Sequence, residues 1–229
     1  MLIERALLYA NKVVAGDEIT TWEVKKQCEI FLHDYYHEDE TYYFDTDEVL
    51  LVEDLLSFMN FATGINCIGT SILEGLHGFQ CFFIVNIFGF RYKDKPKKFK
   101  HQDVTLFIPR KNAKTFILSV TLLILMLTEN DYSEFYSICI DRDLAGEVKK
   151  CMMQIIDASP IITKRFKKSV TLSGKITCLL THSFYQARTS ESGRNNAIRP
   201  SAFIADEIGN FRDCLLYTSP SPRDMRRSR

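Results

Sequence analysis

The sequence predicts an α/β layered fold with a largely parallel sheet, preceded by a helical N-terminal segment, and three observations carry that expectation. An apolar run, Val104–Ile108, ends at Pro109 and a cationic turn, after which Lys114-Thr115 opens a long apolar segment reaching Leu127. A second apolar stretch, Ala202-Phe203-Ile204-Ala205, delivers two adjacent carboxylates, Asp206 and Glu207. Between the two, strand-like and helix-like segments alternate, the pattern of a sheet built from strand–helix–strand units.

The elements follow in chain order. Ile3, Ala6, Leu7 and Ala10 recur at helical spacing, and Ala15-Gly16-Asp17 reads as the turn that ends this helix. A second helix carries Trp22, Val24, Cys28, Phe31 and Leu32 on its apolar face, with Thr21 as N-cap. A third spans about Thr46 to Asn60, with Asp47 and Glu48 placed favourably in its first turn. Asn66–Gly78 is Gly-rich and reads as a loop. Phe79–Phe90 is aromatic and apolar, and Phe82, Phe83, Phe88 and Phe90 read as core. Arg91–His101 is a charged, Pro-interrupted connector whose Lys93–Lys100 cluster reads as solvated, with contact to nucleic-acid phosphates as the alternative. Val104–Ile108 is expected as a strand, Thr115–Leu127 as a buried helix, Phe135–Ile140 as a strand and Leu144–Asp157 as an amphipathic helix. Lys168–Leu172 and Lys175–Leu180 alternate around Ser173-Gly174 as a hairpin. Gln186–Pro200 reads as a polar loop and Ala202–Ala205 as a buried strand.

Charge divides the chain more sharply than composition does. The formal net charge of the 229 residues is zero, yet Met1–Gly75 holds 4 Lys+Arg against 15 Asp+Glu, a net of −11. Leu76–Asp213 holds 21 against 13, a net of +8, and the last sixteen residues add +3. A basic part suits a polyanionic ligand, and the acidic first third is unsuited to gripping nucleic acid. Three regions are therefore expected: a helical region 1–75, a core 76–213, and a Ser/Pro/Arg-rich tail 214–229. That tail, CLLYTSPSPRDMRRSR, resembles translated adapter sequence and is expected to be non-native; a natural disordered basic tail is the alternative. Seven cysteines, none in a C-x-x-C pair, fit reduced thiols better than a disulfide framework or a zinc site. No secretory signal is expected, since Met1–Ala10 is interrupted by Glu4 and Arg5. Phe116–Leu127 is shorter than the roughly 20 residues that span a bilayer, so no membrane association is expected.

The turn Pro109-Arg110-Lys111-Asn112-Ala113-Lys114-Thr115 has the chemistry of a phosphate-binding loop. Backbone N–H groups at a helix start cradle phosphates, a lysine reaches the β and γ oxygens, and a hydroxyl holds Mg²⁺. The consensus G-x-x-x-x-G-K-[ST] would place Gly at 108 and 113, where this chain has Ile108 and Ala113. Strand-borne carboxylates in the order seen at Asp206-Glu207 complete the arrangement expected of an ATPase using ATP and Mg²⁺. A competing pattern, His33-Asp34-Tyr35-Tyr36-His37, places two histidines at i and i+4 as in a zinc protease helix. Asp34 stands where the general-base Glu would be and no third ligand is evident, so a solvated acidic face is the preferred reading.

With these residues in view, Met1–Asp213 resembles the large terminase subunit of tailed bacteriophages. The resemblance rests on Tyr9-Ala10, Val13-Val14-Ala15-Gly16, Phe79-Gln80, Phe88-Gly89-Phe90, Ile108–Thr115, Ala158-Ser159-Pro160 and Arg199–Glu207. That family's loop often reads P-R-K-N-G-K-[ST], so Ile108 conforms and Ala113 departs from the pattern. Asn195-Asn196 stands where an Asp-Gly is frequent. The resemblance implies a P-loop NTPase-like fold, here with an incomplete sheet, and a motor that packages viral DNA into procapsids. It implies that Pro109–Thr115 bind ATP, with Lys114 on the β/γ-phosphates and Thr115 and Asp206 holding Mg²⁺. Glu207 would polarise the attacking water, Arg110 would meet the γ-phosphate, and Gln80 would read the adenine edge. The implied partners are double-stranded viral DNA, the portal protein, the small terminase subunit and further copies in a ring, in the host cytoplasm at the procapsid portal. The nuclease domain of the family is expected to be missing from this chain. A helicase-like translocase, or an inactive DNA-binding or scaffold fragment, are the alternatives.

Overall fold

The computed structural model describes residues 1–37, 39–64, 67–109, 111–139, 142–171, 173–189 and 199–205. The tail 214–229 lies outside them. Two compact units are present: Met1–Ile117 with Gln154–Lys164, and Leu118–Met153 with Arg165–Arg229.

The first unit is built on helices. α1 (Leu2–Ala15) buries Leu2, Ala6, Ala10 and Val13, a stripe at helical spacing, and stops where Gly16 takes φ 88° and its N–H bonds Val13. A left-handed residue closes a helix there at no steric cost because glycine lacks Cβ. α2 (Trp22–Tyr36) begins after Thr21 as expected and buries Cys28 and Phe31, but Trp22 is 73% exposed and does not join the apolar face. α3 (Thr46–Phe58) is capped by Asp45, whose carboxylate accepts the Glu48 N–H at 3.0 Å. α4 (Ile72–Gly75) occupies a stretch expected to be loop, because burying Ile72 and Leu73 outweighs the local glycines.

α5 (Gly78–Gly89) is apolar on nearly every side and packs on α1, and Phe82, Phe88 and Phe90 are buried as expected. β1 (Tyr42–Phe44) pairs antiparallel with β2 (Phe90–Tyr92). Around them Phe31, Phe82, Phe90 and Phe44 form an edge-to-face cluster with centroids 5.1–5.9 Å apart. Arg91 is buried here, paired with Glu48 at 2.9 Å and lying over the Phe99 ring. Lys100 of the basic connector pairs with Asp34, so that lysine serves the fold and is not solvated.

The expected strand at 104–108 is not one. Phe107 is 96% exposed and Val104 46%, and no strand among the described residues pairs with the segment. A run of apolar residues becomes a strand only when a neighbour takes its N–H and C=O groups.

The second unit holds a five-stranded mixed sheet in the order β4-β5-β6-β3-β7. β3 (Glu134–Cys139) lies between β6 (Phe184–Thr189) and β7 (Ala202–Ala205), parallel to both, with Glu134 opposite Phe184 and Phe135 opposite Ala202. β4 (Phe166–Lys168) and β5 (Ile176–Cys178) add a hairpin antiparallel at the other end, its first strand ending at Lys168 where the sequence placed a strand over Lys168–Leu172. β6 runs through residues expected to be loop, since the register against β3 supplies pairing that the Gln186-Ala187-Arg188 composition does not advertise. β7 is not buried as expected: it has one partner strand among the described residues, and Phe203 is 46% exposed. Phe135, Ser137, Tyr185 and Ala187 point to one buried face, where Ser137 and Tyr185 share a hydroxyl bond of 2.6 Å.

α6 (Lys114–Thr128) and α7 (Arg142–Ala158) match the expected helices; α6 is buried on nearly all sides. Within the second unit Thr181 and Ser183 hydroxyls both donate to the Met126 carbonyl, at 2.8 and 3.0 Å. α8 (Pro160–Thr163) follows α7 with proline at its first turn. Among the described residues no helix is long and apolar enough to cross a membrane.

Candidate phosphate-binding turn

Two features of the backbone define the site. Lys111 has φ 69° and Ala113 φ 58°, so two non-glycine residues on either side of Asn112 adopt the left-handed conformation. For an L-residue that conformation costs energy and persists only where the surroundings require it. The turn is held by the Asn112 side chain, whose Nδ2 donates to the Pro109 carbonyl at 3.2 Å. The Ala113 carbonyl then accepts the Ile117 N–H at 3.0 Å, which makes Ala113 the entry to α6.

Alternating backbone handedness at a helix start turns successive N–H groups toward one point, forming a concavity suited to an anion. The helix macrodipole favours negative charge at the same place. Lys111 is exposed, while Lys114 and Thr115 are half-buried in the first turn of α6. Position 113, where the sequence departs from glycine, adopts a backbone conformation that glycine adopts without strain. The turn's residues therefore fit a polyphosphate, and the Thr115 hydroxyl is a hard oxygen donor of the kind that Mg²⁺ prefers.

Not every expected site residue falls in view. Arg110, Asp206 and Glu207, with the Asn195-Asn196 pair, lie outside the described residues; β7 is described up to Ala205, the residue before Asp206. Gln80 sits in the first turn of α5, 4% exposed, and its Oε1 accepts the His77 N–H at 2.8 Å. That bond fixes the start of α5. The two histidines of the competing pattern stack on each other at 4.6 Å, with His37 Nδ1 2.9 Å from the His33 carbonyl. No group of three or more metal-ligating side chains gathers among the described residues.

Two contacts around the turn have no local signature in sequence. Phe116, next to Thr115, stacks on Phe61 with centroids 5.0 Å apart and planes 11° from parallel. Asn60 is clipped to the end of α7: its N–H donates to Ser159 Oγ at 2.8 Å and its Nδ2 to the Ala158 carbonyl at 3.1 Å. Ser159, fully buried, in turn donates its hydroxyl hydrogen bond to the Ile155 carbonyl at 2.6 Å. The Ala158-Ser159-Pro160 stretch thus anchors the loop that carries Phe61.

The family described as terminase large subunit, ATPase domain, matches residues 78–221, well over half of the chain. The crystal structure of the HK97 bacteriophage large terminase is similar in fold, with a TM-score of 0.56 and 21% identity. The match covers 72% of this chain and 33% of that one, so the chain spans about a third of the length of that terminase. No curated protein sequence matches.

Proposed function

The chain belongs to the family of terminase large-subunit ATPase domains, and from that premise we propose that the 109–115 turn binds ATP for Mg²⁺-dependent hydrolysis. The observation that carries this reading is the left-handed pair Lys111 and Ala113 leading directly into α6. Lys114 neutralises the β- and γ-phosphates, and Arg110 meets charge developing on the γ-phosphoryl group. Thr115 and Asp206 would hold Mg²⁺, which would supply neutralisation of phosphate charge. Glu207 orients a water in line with the bond to the β-phosphate and accepts its proton as that bond breaks, releasing ADP and phosphate.

In the whole protein this cycle drives double-stranded viral DNA into a procapsid, in the host cytoplasm at the portal. The portal, the small terminase subunit and further copies in a ring are the partners. The basic core 76–213 is the motor part, and the acidic helical region 1–75 is the part that avoids the DNA. The test is Mg²⁺-dependent binding of ATP by the full chain, read by calorimetry. Lys114→Ala is expected to weaken it at least about tenfold, the loss of one charge-assisted contact. Unchanged affinity in that variant would refute the reading.

A further inference from the structure

α2 ends in a pair of histidines that the nucleotide chemistry does not use. His33 lies in its last turn and His37 is its C-cap, so the two side chains fall one helical turn apart. Their rings stack with centroids 4.6 Å apart and planes 16° from parallel, and both residues are exposed. We propose that this pair binds a divalent transition-metal ion of the kind that favours imidazole, such as Zn²⁺ or Ni²⁺. The two Nε2 atoms hold the ion and water fills its remaining positions.

Three observations carry the assignment. First, both Nδ1 atoms are engaged. His37 Nδ1 lies 2.9 Å from the His33 carbonyl, which can only accept, so that nitrogen bears the proton. His33 Nδ1 lies 3.3 Å from Asp34 Oδ1, again an acceptor. Each ring is thereby set in the tautomer that leaves a lone pair on Nε2. Imidazoles that ligate metal characteristically donate their other N–H to a carboxylate or a backbone carbonyl, and this pair shows one of each. Second, the carboxylate is itself held. Asp34 Oδ2 pairs with Lys100 of the basic connector, which leaves Oδ1 to His33 and steadies that ring from outside α2. Asp34 is therefore a positioning residue, not the general base that its place between the histidines would suggest. Third, the surroundings favour a cation. The pair sits at the C-terminal end of α2, where the helix dipole is negative, within the acidic 1–75 region. A tetrahedral ion about 2.0–2.1 Å from each nitrogen needs them about 3.3 Å apart, an inward tilt that exposed side chains make by torsion alone. Two imidazoles make an open site, in keeping with the lack of a cluster of three ligating side chains among the described residues.

The experiment titrates Ni²⁺ alone into the untagged full chain by calorimetry. One ion per chain is expected. His33→Ala and His37→Ala are each expected to weaken binding at least about tenfold, since even an outer partner of a metal-bound imidazole is worth that much. His182→Asn, at an exposed histidine of the second unit with φ 54° that asparagine tolerates, is expected to leave binding unchanged. Excess Ni²⁺ should raise the thermal unfolding midpoint of wild type and of His182→Asn, but not of the other two variants. Without metal all four should unfold together, because the substituted positions are exposed. No binding by wild type, or a His33 or His37 variant that binds as tightly as wild type, overturns the proposal. An equal loss in His182→Asn also overturns it, by placing the ion elsewhere.

Discussion

Substituting glycine at position 113 probes the site's least expected feature. Ala113 holds φ 58° on the step into α6. The left-handed conformation costs an L-residue about 1–2 kcal/mol. Ala113→Gly removes that cost but returns about 0.5–1 kcal/mol through the greater freedom of the unfolded chain. The net expectation is a gain of about 0.5–1 kcal/mol, which for a chain of this length raises the unfolding midpoint by about 1–4 °C. Ala113→Val should move the other way, by about 1 kcal/mol or more, because a β-branched side chain is a poor tenant of that conformation. Thermal unfolding followed by circular dichroism reads both. Tripolyphosphate should also bind the glycine variant more tightly, since the missing Cβ lets the backbone approach a phosphate oxygen. A glycine variant no more stable than wild type, together with a harmless valine, would mean that residue 113 is not left-handed in solution. The turn would then lose its claim to be a phosphate cradle.

Two further expectations test the fold around the site. Phe107 is 96% exposed, so Phe107→Ser should change stability by less than about 0.5 kcal/mol in denaturant titrations; a loss of several kcal/mol would return 104–108 to a packed strand. His101 is half-buried against Phe90, and burial followed by the neighbouring Lys100 charge depresses its pKa below the ordinary 6.5, with Asp34 opposing. The unfolded chain then takes up a proton near that pH while the folded chain does not, so stability is present above 6.5 and declines as pH falls through it. Comparing denaturant midpoints at about pH 7.5 and about pH 5.5, His101→Phe should lose less stability on acidification than wild type; an equal loss in both would discard His101 as the cause.

What could be read from the chain divides along the range of the interaction. α1, α2, α3, α6 and α7 were legible because caps and 3.6-residue spacing are local, and the Gly16 stop falls where the sequence placed it. The apolar runs at β3 and β7 were legible as strands, yet composition could not say which strand would pair with which. That is why 104–108 promised a strand and Gln186–Thr189 did not, while the pairing went the other way. The 109–115 turn divides similarly. The order proline, cations, hydroxyl and apolar helix is a local signature and was visible. The Phe61–Phe116 stack and the Asn60–Ser159 clip join residues 55 and 99 positions apart, and neither has a motif. Ala113 is the informative middle case. Its identity argued against a phosphate loop, since the turn asks for glycine, and no property of alanine announces a left-handed backbone. The backbone nevertheless adopts that conformation, with Asn112 bonded back to Pro109 and α6 beginning on the Ala113 carbonyl. The demand at position 113 therefore comes from the neighbours on both sides, and the glycine of the usual motif relieves that demand without creating it.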